Sequence, residues 1–134
     1  MTEPSEQLVD QRVRNGIIWY LETASDEDEQ RKYQRNVPCV NVGNEMINQW
    51  ADWVRSEIFD TYCEPVFSVE EQAALRAYQS VWEAVAESTP DPLPVSIEDT
   101  LRLKQWQRLM EAARNALAVF MKRGLIDSEV EEKF

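Results

Sequence analysis

The sequence predicts an all-α protein, a compact bundle of four main helices with a short acidic C-terminal tail. Apolar residues recur at helical spacing in four long segments. Glycine occurs three times and proline six times in 134 residues, too few for the turns of an all-β fold. Hydrophobic residues reach 43% and include five tryptophans, enough for a packed core. A chain of this size buries roughly two-thirds of its unfolded surface, so residues 1–134 are expected to form a single helical-bundle domain.

The first helix is expected from Ser5 to Ala24, where Val9, Val13, Ile17, Tyr20, Leu21 and Ala24 make one stripe. Leu8, Ile18 and Trp19 fall off that stripe. Either this helix is sandwiched between two layers or its second face meets a partner. Ser25 to Asn36 places four acids ahead of three bases, the order the helix dipole favours, with Ser25 as a cap. It reads as a short exposed helix or a solvated connection. Val37 to Val42, interrupted by Pro38, reads as an extended linker that tucks its valines onto the bundle.

The second long helix is expected from Asn44 to about Tyr62. Met46, Ile47, Trp50, Trp53, Val54 and Ile58 share one face, Glu45, Asn48, Asp52 and Ser56 the other, and Pro65 follows its end. Phe59 is expected under the Cys63–Pro65 turn. A capping box, Ser68 with Glu71, opens the third helix, which runs to about Ser88 with Leu75, Tyr78, Trp82 and Val85 inward. Thr89 to Pro94 is a stiff, proline-punctuated connector.

Ser96 to Gly124 is the longest uninterrupted helix signal and the expected central packing element. Ser96 is its cap, and Leu103, Trp106, Met110, Ala113, Leu117, Phe120 and Met121 share a face. Gly124 closes it, with Leu125 placed to fold back onto Phe120. Residues 125–134 form the acidic tail, with a helical turn begun by Asp127 or Ser128.

The net charge of −11 disfavours nucleic acid and anionic membranes and favours basic partners. The acidity is uneven. Residues 100–123 carry six bases against one acid, so one basic helix sits in an acidic body. Lys104, Arg108 and Lys122 are expected to meet acids on neighbouring helices or to stay solvated. The polar, acidic start and the lack of a long apolar run predict neither a secretory signal nor a membrane span. With two cysteines, Cys39 and Cys63, this places the protein in the cytoplasm with reduced thiols.

The chain contains no histidine, which removes the commonest general base, the Ser-His and Cys-His pairs and every His-containing metal site. Two cysteines cannot make a four-thiolate zinc site. Gly16, Gly43 and Gly124 are isolated, so there is no phosphate-cradling loop. No cofactor is implied.

Carboxylates with a hard cation remain, since Mg²⁺ needs only one or two of them plus substrate phosphates. The spacings Asp26 with Glu29 and Glu57 with Asp60 resemble the metal site of the all-helical nucleotide pyrophosphatases, an ExxE followed by an ExxD. Glu57-Ile58-Phe59-Asp60 matches the second element, and Asp26 stands where the first has Glu. The resemblance implies a Mg²⁺-dependent nucleotide phosphohydrolase with Glu57 and Asp60 as metal ligands.

The principal expectation is a different one: a non-enzymatic acidic protein that binds another protein with a basic surface. By analogy of composition, such proteins are inhibitors, immunity or anti-defence factors, or assembly adaptors. The partner-binding residues expected are Leu8, Ile18 and Trp19, with the acids Asp26, Glu27, Asp28 and Glu29 and with Glu45 and Asp52. Trp19 is the one tryptophan off the core stripes. A third reading has the first helix burying Trp19 against a second copy of the chain.

Overall fold

A computed structural model describes residues 3–90 and 93–134, and these residues fold into helices with no strand among them. In order they are α1 (Glu6–Ala24), α2 (Glu27–Asn36), α3 (Val42–Trp53), a 3-10 helix (Ser56–Thr61), α4 (Val69–Ser88), α5 (Ile97–Leu101) and α6 (Lys104–Phe120). Asp91 and Pro92, in the expected connector, lie outside the described residues. No helix among the described residues is long and apolar enough to cross a membrane.

α6 packs along α4 and α1, and α1 also packs on α3 and α2. The first helix is therefore the enclosed one, and Ile17, Ile18 and Leu21 are all solvent-free. α1 shares with α6 the central role expected of the last helix alone. Ser5 caps α1 as its side chain accepts from the Leu8 N–H, and the Ser68–Glu71 capping box opens α4.

The charge-dense segment is a helix, but Asp26 caps it rather than Ser25, which closes α1. α3 starts at Val42 rather than at Asn44, with Asn41 as its cap. Val42 is thus a buried helical residue and not part of the linker, and Val37 is left exposed.

Both other long segments break where neither Gly nor Pro marks a break. α3 stops at Trp53, and Val54 and Arg55 are extended. The Tyr62 hydroxyl replaces the next helical turn: it accepts from the Arg55 N–H at 3.0 Å and donates to the Trp53 carbonyl at 3.1 Å. Val54 is buried as a result. Phe59 lies edge-on to Tyr62, with its ring 4.9 Å from the Arg76 guanidinium.

The expected helix from Ser96 to Gly124 is interrupted at Arg102 and Leu103, and the Ser96 side chain makes no cap bond. Leu101 and Met110 are both buried. Nine residues apart on one straight helix, they would point about 180° away from each other. The extended Leu103 resolves that conflict. Gly124 ends the segment at φ +75°, a left-handed conformation open to glycine, and its N–H reaches the Phe120 carbonyl. Ile126 packs inward beyond it, whereas Leu125 and Met121 are exposed.

The polar atoms of the core aromatics are paired. The indole N–H of Trp50 donates to Gln79, that of Trp106 to Gln30 and that of Trp82 to the Ile47 carbonyl. The Tyr20 and Tyr78 hydroxyls meet at 2.7 Å.

Candidate functional site

The site grows from Gly16. A Cβ at that position would sit 2.4–2.6 Å from three ring carbons of Trp53, so only glycine lets the indole lie flat on α1. Trp53 thereby forms one wall of an apolar groove along the outer face of α1. Val9, Val13 and Trp19 line it, and Trp19 is 54% exposed. The groove holds about 470 Å³. Val9 also borders a second depression of about 410 Å³, lined by Pro4, Glu6, Asp10, Thr61 and Cys63.

The opposite wall is the tail, which runs back along α1 as a strap. Ser128 and Glu129 line the groove. Gln7, Gln11 and Asn15, one turn apart on α1, hold the strap by its backbone. Gln11 donates to the carbonyls of Asp127 and Val130 and accepts from the Glu132 N–H. Asn15 exchanges two hydrogen bonds with Ile126, and Gln7 donates to the Glu132 carbonyl. Arg12 donates to the Ser128 carbonyl at 2.7 Å, and Ser5 bonds Glu131. Asp127 turns the strap by accepting from the N–H groups of Glu129 and Val130, and those bonds hold its carboxyl below the usual range.

Of the expected binding residues, Trp19 is in the groove. Ile18 is not available, because it is wholly buried in the core. It fell off the α1 stripe because α1 is covered on more than one side. Leu8 is half-buried. Asp26 serves as the α2 cap. Glu27 and Asp28 pair with Arg31, which also grips Glu98 through two nitrogens. Glu29 and Asp52 are exposed and Glu45 half-buried. Of the expected basic residues, Lys122 lies in the turn past the end of α6 and pairs with Glu70 at 2.6 Å.

Glu57 and Asp60 stand on the 3-10 helix, with a non-helical Ile58 between them. Arg55 pairs with Glu57, and hydrogen bonds from its own backbone and from Arg55 hold the Glu57 carboxyl below its ordinary value. Arg76 stands 3.9 Å from Asp60. Asp26 and Glu29 are at the start of α2, and among the described residues no three carboxylates, cysteines or histidines converge as a metal-binding group.

Sequence periodicity assigned Val9, Val13 and Trp53 to core stripes; Val13 and Trp53 do pack against the core and also line the groove, while Val9 is exposed. The available signal was Gly16, a glycine inside a helical pattern, which marks close approach of another element. Comparison with protein-family models, curated proteins and solved structures yields no match to this chain.

Proposed function

We propose that the protein acts by binding another protein through the α1 face that carries Trp19. The observation behind this reading is an exposed tryptophan beside a second one in an apolar groove, on a chain whose other tryptophans all have their indole N–H paired or their ring packed on the core. Exposed apolar surface of this kind is where hot-spot aromatics anchor a partner. The charge of −11 favours a basic partner and speeds its approach. Exposed, unbridged Cys39 and Cys63 support a reducing compartment such as the cytoplasm.

The test is a photo-crosslinking residue placed at Trp19 or, as a control, at the exposed Val95, in lysate from the source cell at low and moderate salt. One basic protein crosslinked from position 19 and not from 95, and less so with salt, supports the reading. Equal crosslinking from both positions overturns it.

A further inference from the structure

We infer that the groove takes an amphipathic helix of the partner protein, its apolar side chains on Val9, Val13, Trp19 and Trp53 and a lysine or arginine beside Glu6 and Asp10. The inference rests on the protein-binding reading above and adds the shape and charge of the occupant.

Length comes first. Val9 and Trp19 are ten residue steps apart on α1, about 15 Å, which matches some three turns of a second helix. An apolar stripe at i, i+3 or i+4, i+7 and i+10 or i+11 spans that distance, the usual register of a helix laid in a groove. The walls are firm on both sides, with Trp53 seated on Gly16 and the strap tied to α1 by backbone hydrogen bonds. Such walls lower the ordering cost of binding.

Charge then sets the polarity. The apolar groove continues past Val9 into the depression where Glu6 and Asp10 stand, and neither carboxylate has a cation partner among the described residues. Burial, and then the charge of Glu6, push the Asp10 carboxyl above its ordinary value. A partner ammonium or guanidinium there would relieve both effects. The rim is acidic elsewhere as well. Glu129 lines the strap wall. Arg12 is the one base lining the groove, and its guanidinium is engaged with the Ser128 carbonyl.

A displayed library of helical peptides about four turns long, panned on the full chain and counter-panned on Trp19→Ala, tests this. The expected binders carry an apolar stripe with Lys or Arg one turn beyond one end. Their affinity should fall about tenfold or more with Glu6→Gln and Asp10→Asn together, as when a partly desolvated charge pair is broken. That loss should shrink in about 0.5 M salt. Trp19-dependent binders that are neutral or acidic, or that ignore the two substitutions, would overturn this inference and leave the binding face intact. A library yielding no Trp19-dependent binder would take down both.

Discussion

Arg14 and Glu71, from the middle of α1 and the first turn of α4, form a two-point ion pair out of contact with solvent. Arg14 Nη2 lies 2.8 Å from Glu71 Oε2 and Nε 3.2 Å from Oε1. The same guanidinium donates to the Phe120 and Gly124 carbonyls and so caps the end of α6. Arg123 approaches the same carboxylate and donates to the Val66 carbonyl. One carboxylate thus ties together three helices and the loop before α4. Arg14→Met would take the Arg14 donor from the Gly124 carbonyl and one of several donors from the Phe120 carbonyl, and would strip Glu71 of its buried partner. We expect a loss of about 3–5 kcal/mol in urea unfolding. Arg123→Met, at a partly exposed position, should cost clearly less. Equal losses would mean that the buried pair is not the main clamp.

The same carboxylate gives stability a pH dependence. Burial raises the Glu71 carboxyl, but hydrogen bonds from Arg123, Arg14 and the Ser68 N–H outweigh burial and hold it below its ordinary 4.5. A depressed folded value means the folded state holds the ionised form more tightly than the unfolded chain does. The contribution is complete above pH 4.5 and is lost as pH falls through the depressed value. Unfolding midpoints measured downward from neutral pH should therefore drop below that point. In Glu71→Gln the drop should be shallower.

Gln30 shows where sequence reading reaches its limit. Helix periodicity located α1 and α4 within a residue or so, because their caps, Ser5 and Ser68, are local chemistry. Gln30 sits in the charge-dense segment read as exposed or solvated, yet it is solvent-free. Its amide donates to the Thr23 and Ala24 carbonyls and accepts from Trp106, 76 residues away. No window of the chain holds that information. The breaks at Val54 and Leu103 are similar, since each depends on a distant partner or on two burial demands one straight helix cannot meet. The groove was legible in one residue, Trp19. Its second wall required knowing that Trp53 crosses α1 at Gly16.

Asp10 should show the opposite sign to Glu71. Its carboxyl is raised by burial first and by Glu6 second, so ionisation favours the unfolded chain. Stability is greatest, on this group's account, below its ordinary 3.8, and declines as pH rises through the raised folded value. Asp10→Asn should therefore unfold at slightly higher urea than the parent at pH 7, with the two curves converging in acid. A lower midpoint at pH 7 would mean the carboxylate has an attractive partner.

Gly16→Ala isolates the groove from the core. Alanine raises helix propensity by about 1 kcal/mol at an interior position. Its Cβ would overlap the far edge of the Trp53 ring, which is half-buried and can swing outward. We expect global stability within about 1 kcal/mol of the parent as these effects offset. Tryptophan emission should shift to the red, and Trp19-dependent binding should weaken. An unshifted spectrum would mean that the ring does not rest on Gly16.

Apart from the Ser5–Glu131 bond, the strap is held by side chains that read its backbone, so its hold should depend on length and turn shape more than on side-chain identity. Gln11 alone makes three bonds to it while being solvent-free. Ending the chain after Ile126 would keep the Asn15 exchange but leave Gln11 without its three strap partners and open the groove on one side. With the strap gone, water and the Gln7 amide replace those partners, and each of the three bonds exchanged for water costs about 0.5–1.5 kcal/mol net, together about 1.5–4.5 kcal/mol. We expect a loss in that range, with amide exchange accelerating in the first three turns of α1 and unchanged in α4. Gln11→Leu should cost less in the shortened chain than in the full one, because there only the Gln7 contact remains to be lost. In the full chain the same substitution loses the three strap bonds as well and should be clearly destabilising. Matching effects in the two backgrounds would show that Gln11 and the strap do not act on one another.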